Sequence, residues 1–569
     1  MPRYKLSPLA TLVESRLLEA APQYAVFHRF TGQLIEPEPS VGVLLQAAKI
    51  GAPLSLDPDH LSHLGESGHQ VHKLIQWELL IPDAHDPLAS FVDYYVNRPM
   101  QNPAVNYQDE TGRVIVVSIS MAERIYSPER RKLPPVLEET FSELATKVLL
   151  AADGTKTLSQ IYSTLRGDSK SLLDDPEFRD VIEFLTKPER QLIKFAPTPE
   201  GFANPFYPAN LVPRNFYHAA RWTRSEPDKS IGDFHVDGIE DALWEFDIIE
   251  PTVNHGLRFS TELLSGLDYG TRFCDAVFEN AFPALNAGKH LEILEIGGGT
   301  GSFARSFIER ARAVAASLKY HVMDLSPALA ESQRRNLSDV EPEVTFIAQD
   351  ATEFDLPGEL FDLIISNEVI ADFPVAMVER RSTEENALPF AGEGAEYVNE
   401  YALSVDNAPD RFYVNAGVFR FLERAWLHLK PAGTVILSEY GSESIYPTES
   451  FHLNHSEFSI HFGHVAECAR KIGFQCRLQT LKEFLAIDDR KLVLNGREEH
   501  IRCLNCVFEK FGTTIPFALF TQTDFEARFG DLAARINLNP IRFLPLSSNF
   551  YYGAEIDQFL VLIMIKPTA

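Results

Sequence analysis

At 569 residues the chain exceeds what one hydrophobic core can organise, so two to four domains are expected. Hydrophobic residues at 45% and charged residues at 23% are those of a globular protein, and five cysteines over such a length exclude a disulfide framework and fit a reducing cytoplasm. Acid dominates, 80 acidic against 52 basic residues for a net charge of -28, which repels phosphate backbones and argues against nucleic acid; it suits a basic peptide, though solubility alone explains it more simply.

Met1 to Lys5 leads into no apolar signal segment. Residues 1–85 read as a first unit. Tyr24 to Phe30 alternates like a strand and ends at Thr31-Gly32, and Val41 to Ala48 and Val71 to Leu80 read as helices closing on Ile81-Pro82. This strand-turn-helix-helix order resembles PqqD-like domains, winged-helix modules that hold a leader peptide against an edge strand; a generic small helical domain fits the same pattern. Residues 86–113, with Pro87, Pro99 and Pro103, read as a linker. A second unit spans 114–197: a strand at Val114 to Ile119, a helix at Glu138 to Ala151 stopped by Asp153-Gly154, a helix at Leu158 to Leu165, and a third helix around Val181 to Leu185. Its cadence matches the first unit and suggests a second winged-helix module. Residues 198–233 are again proline-bearing and read as a linker.

The catalytic part is assigned to 234–569. Ile239 to Phe246, Leu263 and Phe273 to Phe282 are expected to be helical, as a cap. Leu291 to Ile296 is an apolar run carrying Glu295, followed by Gly297-Gly298-Gly299-Thr300-Gly301 and a helical pattern from Phe303 to Leu318. A buried parallel strand reads as such a run, and glycines at its carboxyl end allow a ligand close to the backbone and to the free N–H groups of the next helix. Tyr320 to Asp324, Val344 to Asp350 and Phe361 to Glu368 follow as three more strands, each ending on polar residues. Glu295-x-Gly297-x-Gly299-x-Gly301 is not the G-x-G-x-x-G of dinucleotide sites; it resembles motif I of class I S-adenosylmethionine (SAM) methyltransferases. That resemblance implies a Rossmann-like α/β sheet with SAM as cofactor. Glu295, Gly297, Gly298, Gly299 and Gly301 would surround its amino-acid part, Asp324 its ribose and Asp350 with Ala351 its adenine, and Asn367 would lie towards its methyl group.

Ala387 to Asp410 reads as an acidic insertion suited to a lid, Val418 to Leu429 as a helix, Thr434 to Gly441 as a fifth strand, and Val465 to Ile472 as a helix followed by a strand at Phe474 to Leu478. Phe517 to Thr521 is a strand candidate. Phe559 to Ile565 is too short to span a membrane and suits a closing antiparallel strand. Asn367-Glu368-Val369-Ile370-Ala371-Asp372-Phe373-Pro374 resembles the N-E-x-x-D-A-x-P stretch of the MidA family, which includes the mitochondrial complex I assembly factor that methylates an arginine of a partner subunit. Glu439-Tyr440-Gly441 is similar to that family's D-Y-G, Glu457 to Phe462 to its D-L-T-A-H-V, and Thr480 to Leu485 to its T-x-x-x-F-L. The resemblance covers roughly residues 260–490. The family acid stands four places after the Asn, where this chain has Ala371, with Asp372 one place later.

Methyl transfer from a sulfonium needs an in-line acceptor with a lone pair, and carboxylates orient a guanidinium acceptor. Glu368, Glu439, His461 as proton acceptor and Asn367 are the candidate catalytic residues; a cap or cofactor contact for Glu368 and a structural role for His461 stay open. Cys503-x-x-Cys506 lacks a second pair and implies no metal site. The absence of N-P-P-Y after the fourth strand argues against methylation of DNA bases or glutamine amides. The expected enzyme is therefore a cytoplasmic SAM-dependent methyltransferase with no metal and no membrane association. Its substrate is read as a peptide or protein side chain, arginine favoured and carboxylate open, with the amino-terminal half recognising the substrate, a ribosomal natural-product precursor among the candidates. A small-molecule O- or N-methyltransferase and a non-catalytic assembly factor are the alternatives, and a homodimer is left open.

Overall fold

The computed structural model describes most of residues 3–568; the longest stretches outside the description are 16–22, 56–64, 120–135, 200–251, 282–289, 382–389 and 549–555. The expected cap helix at Ile239 to Phe246 lies outside the described residues. Contacts divide the chain into two compact units, one of residues 1–227, 496–516 and 529–542, the other of 228–495, 517–528 and 543–569.

The second unit is built on one sheet. Its strands are β1 (His290–Ile296), β2 (Ser317–Met323), β3 (Val344–Ile347), β4 (Phe361–Asn367), β5 (Leu429–Ser442), β6 (Gln475–Thr480) and β7 (Phe559–Ile565). Their order is β3-β2-β1-β4-β5-β7-β6, parallel from β3 to β5 and antiparallel where β7 inserts between β5 and β6. Strands β1, β4 and β7 read apolar along most of their length because both faces are covered, as a parallel core requires. Helices α1 (Tyr269–Ala281), α2 (Ser302–Arg312), α3 (Pro327–Asn336), α4 (Ala416–His428) and α5 (Phe462–Ile472) cover them. One cluster holds Phe273, Phe303, Phe307 and Tyr320 on one face; the other holds Phe361, Phe419, Phe421 and Phe462 on the opposite face. Strand order reverses between β1 and β4, and in such open sheets the crevice for a ligand lies outside the strands' carboxyl ends at that point.

The expected helix to Leu318 ends at Arg312, because Ser317 and Leu318 enter β2 and pair with His290 and Leu291. Pairing with β1 overrides the helix preference of Ala313 to Ala316. Of the strand candidate at Phe517 to Thr521, Phe517 lies outside the described residues and Ala518 to Thr521 forms no strand; Thr521 makes a single bridge to Val493. Within the insertion expected as a lid, Phe390–Ala391 joins Ala376–Arg380 and Arg411–Val414 in a three-stranded sheet, and Ala395–Tyr401 is a helix whose Val398 and Tyr401 are buried.

In the first unit, Arg3–Leu6 lies between Leu54–Ser55 and Leu80–Pro82, and Ala10–Ser15, Gln23–His28 and Leu34–Ile35 form a three-stranded meander with helices Pro39–Lys49 and Gly65–Gln76. A second group sets Tyr95–Asn97 between Asp153–Thr157 and Lys194–Ala196, with helices Glu143–Ala151, Leu158–Arg166 and Pro176–Thr186. The stretch 86–113 is therefore not a plain linker: its described residues carry Tyr95–Asn97 and the strand Ala104–Gln108. Val136–Thr140 is a strand paired with Val114–Ile119, so the helix expected from Glu138 starts only at Glu143, where the Ser142 side chain caps it. Helix Glu498–Phe508 packs on this antiparallel sheet, which is why a segment assigned by position to the catalytic part groups with the first unit. Among the described residues no helix is long and apolar enough to cross a membrane.

Candidate active site

The glycine turn joins β1 to α2. Gly297, Gly299 and Gly301 have φ of 67°, 50° and 86°, the left-handed region that glycine reaches without steric cost. The Gly297 N–H donates to Met323 O at 2.8 Å and ties the turn to the end of β2. A Cβ on Gly297 would stand 2.4 Å from Val369 Cγ2, and one on Gly298 2.4 Å from Val322 Cγ1, whereas one on Gly299 would meet nothing within 4 Å. Two glycines thus serve close packing, and Gly299 leaves open space beside half-buried backbone. It is a cradle.

Polar groups converge on it. Glu295, only 3% exposed, accepts the Tyr320 hydroxyl at 3.1 Å; burial pushes its carboxyl up to about 8, and the nearby Asp324 adds to the rise. Asp324 accepts the Ser326 N–H at 2.9 Å and the Gln333 Nε2 at 2.8 Å. Asp350 accepts the Thr352 N–H at 2.7 Å and its hydroxyl at 2.8 Å, a turn that sets the exposed acid after β3, with Ala351 buried next to it.

Beyond β4 the geometry changes. Tyr269 of α1, fully buried, donates its hydroxyl to Asn367 Oδ1 at 2.7 Å, which turns Asn367 Nδ2 towards Glu368 Oε1 at 3.3 Å. Glu368 is a non-glycine residue at φ 57°, a strained conformation of a kind that clusters at functional sites. Its carboxylate accepts the N–H groups of Val253 at 2.9 Å and Asn254 at 3.1 Å, so it caps the short helix Val253–Gly256. Burial nonetheless raises its pKa against those N–H donors. Glu439, 4% exposed, accepts its neighbour Tyr440's N–H at 2.8 Å and that of Ala371 at 3.4 Å. Its carboxyl is raised well above the usual range, by burial first and then by the charges of Glu368, Asp372 and Glu457. Asp372 closes the 3-10 turn Ile370–Asp372, on the same turn that approaches Glu439 through Ala371. The displaced acid is thereby brought to the cluster.

His461 does not fit the role of proton acceptor. Its Nδ1 accepts the His464 N–H at 3.1 Å and caps α5, and its own N–H donates to Asn415 Oδ1 at 3.0 Å. The ring stacks on His464 with centroids 3.8 Å apart, and burial depresses its pKa to about 4. The imidazole is a structural cap. Tyr440 is exposed and its ring lies beside Phe559 of β7.

Tyr269 and Gln333 escape a sequence reading because neither stands in a motif. The available hint for Gln333 was its place on the helix that follows Asp324, and for Tyr269 its place at the start of a helix expected from Phe273.

Residues 276–451, just under a third of the chain and spanning β1 to β5, match the model of the family described as "Putative S-adenosyl-L-methionine-dependent methyltransferase". No curated protein matches the chain. Among solved structures it is similar to a COG1565 superfamily member from Burkholderia thailandensis bound to S-adenosyl-homocysteine, at 16% identity and a TM-score of 0.31, covering 60% of this chain and 92% of that one. It is also similar to an S-adenosylmethionine-dependent methyltransferase from Clostridium acetobutylicum, at 11% identity and a TM-score of 0.25, covering 38% of this chain and 85% of that one. The glycopeptide N-methyltransferase MtfA aligns at 16% identity with a TM-score of 0.24, covering 37% of this chain and 85% of that one. At these levels the likeness to solved structures carries no argument, and the family match does. The chain is an S-adenosyl-L-methionine-dependent methyltransferase.

Proposed function

We propose that this enzyme methylates a cationic side chain of a peptide or protein, an arginine guanidinium before any other. What supports the reading is the group of acids at the methyl end: buried Glu439, with Glu368, Asp372 and Glu457 close enough to raise its pKa. Such an arrangement disfavours an anionic acceptor and is relieved by a cation, which would draw the Glu439 proton off and pair with the carboxylate left behind.

S-adenosyl-L-methionine, when bound, supplies a methyl group on a sulfonium. Glu295 and the N–H groups of the glycine turn are assigned to its amino-acid end, Asp324 to its ribose, and Asp350 with Ala351 to its adenine. Glu439 orients the acceptor and biases charge towards the nitrogen that attacks. The acid cluster would take up the proton that the acceptor nitrogen gives up on methylation. Asn367, fixed by Tyr269, is kept in one rotamer beside Glu368. Glu368 spends its carboxylate on the backbone of Val253 and Asn254, so it shapes the pocket's rim and field without gripping the acceptor.

The MidA resemblance favours arginine, because the N-E-x-x-x-D-F-P stretch forms the 3-10 turn beside Glu439. The meander of the first unit ends in the two-residue strand Leu34–Ile35, an edge to which an extended substrate peptide can add a strand as in PqqD-like modules. Tethering there would raise the peptide's concentration at the methyl donor.

The test is transfer of labelled methyl from SAM to arginine-bearing peptides by the whole chain, with lysine- and glutamate-bearing peptides and small amines alongside. Glu439→Gln should lower turnover roughly 10- to 100-fold with S-adenosylhomocysteine affinity unchanged, a hydrogen bond to a charged acceptor being at stake. Transfer to free metabolites with none to any peptide would replace the reading with a small-molecule enzyme. Deleting residues 1–227 is a poor probe, since it would strip the sheet on which Ile501, Leu504 and Val507 are buried.

A further inference from the structure

Gln333 of α3 is completely buried at the underside of the glycine turn. Its Nε2 lies 2.9 Å from Gly299 O and 2.8 Å from Asp324 Oδ2. Two acceptors on one atom fix which end of the amide is nitrogen, since a carbonyl oxygen there would meet only other oxygens. The remaining Oε1 is buried and has no hydrogen-bond partner among the described residues. A Cβ on Gly298 would come 3.3 Å from Nε2, and one on Gly301 would come 3.2 Å from Gln333 Cα. Gln333 therefore lies close under Gly298 and Gly301, bonds Gly299 and binds the acid at the end of β2. Other bonds hold the same parts singly: the Ser326 N–H holds Asp324, the Gly297 N–H on Met323 O ties the turn to β2, and Asn336 Nδ2 bonds Thr300 O; Gln333 is the side chain that joins the acid to the turn.

The geometry points to Gln333 as the positioning residue of the cofactor site: it locks Asp324 to the glycine turn, so that the acid meets the cofactor's ribose in one orientation. This rests on the assignment of Asp324 to the ribose. A hydrophobic residue of the same length would pack under the turn equally well, but it would take one donor from Asp324 Oδ2 and the Gln333 donor from Gly299 O. The charge environment is also defined. Glu295 on β1 is the titratable group whose carboxyl feels Asp324, and Gln333 itself is neutral.

The experiment is calorimetric titration of S-adenosylhomocysteine into the whole chain, from about pH 5.5 to 8.5, for wild type, Gln333→Leu, Gln333→Glu and Asp324→Ala, with circular dichroism to confirm folding. Gln333→Leu should weaken binding roughly 10- to 100-fold, the worth of a hydrogen bond to a charged group. Gln333→Glu preserves shape but sets a second carboxyl against Asp324, and such a pair ionises in separated steps. At low pH the new carboxyl keeps its proton and donates it to Asp324 while Gly299 O loses its donor, so binding should recover part of the way to wild type. As pH rises the proton is lost and affinity should fall at least about tenfold further than in wild type, whose own profile carries the contribution of Glu295. Wild-type affinity in both Gln333 variants, with binding lost in Asp324→Ala, would overturn the role of Gln333 while keeping the ribose assignment. A loss in Gln333→Glu that is equal at every pH would reduce Gln333 to packing and overturn it as well. Unchanged binding in Asp324→Ala would remove the ribose assignment and the inference with it.

Discussion

The two sides of the sheet's carboxyl edge are organised by opposite means. From β1 to β3 the site is made of backbone: glycines at positive φ, a carbonyl held by Gln333, and acids braced by neighbouring N–H groups or hydroxyls. From β4 to β5 it is made of buried carboxyls, Glu368 held by the distant Val253 and Asn254, and Glu439 by its neighbour Tyr440 and the more distant Ala371. The first side suits a ligand that never changes. The second side holds raised, mutually repelling acids, an arrangement that pays in stability for a site able to accept a cation.

The largest effect should come from filling the backbone side. Gly299→Arg places a long side chain where Gly299 now faces open space and forces a non-glycine residue to φ 50°. S-adenosylhomocysteine affinity should fall more than about 100-fold in calorimetry, while thermal unfolding shifts by no more than the roughly 1 kcal/mol cost of that backbone conformation. Unchanged affinity would mean the cradle lies elsewhere.

Next comes pH. Glu295 has an ordinary carboxyl pKa when unfolded and one of about 8 when folded without cofactor. Between these values the unfolded chain has lost a proton that the folded chain keeps, so stability declines as pH rises and levels off above the folded pKa. Glu295→Gln should remove that decline, up to about 1.4 kcal/mol per pH unit in denaturant melts from pH 5 to 8. A wild-type stability that rises over this range by the Glu295 contribution would contradict the burial argument.

Glu368→Ala probes the acceptor side. Losing the cap on Val253 and Asn254 should cost about 1 to 2 kcal/mol in unfolding and leave cofactor affinity near wild type. If stability is untouched and the affinity for acceptor peptide collapses instead, Glu368 grips the substrate and the cap is incidental. The smallest effect is expected at His461: His461→Asn retains an acceptor at the helix start, so it should shift stability by less than about 1 kcal/mol and spare turnover. Loss of turnover with an intact fold would restore the imidazole as a proton acceptor.

Much of the cofactor side was legible because it depends on local rules. An apolar run ending on Glu295 and breaking into glycines dictates a strand, a left-handed turn and a helix start within a dozen residues, and Asp324 and Asp350 follow their own strands by the same logic. The closing strand at Phe559–Ile565 was likewise plain from its unbroken apolar stretch. What the tertiary structure alone decided involves pairs distant in sequence. Gln333 matters because α3 packs under a turn more than thirty residues earlier. Glu368 became a cap because a segment 115 residues away presents its free N–H groups there. The placement of helix Glu498–Phe508 on the strands Ala104–Gln108 and Val114–Ile119 belongs to the same kind. An amphipathic helix specifies that one face will be buried, and its sequence does not say against which sheet.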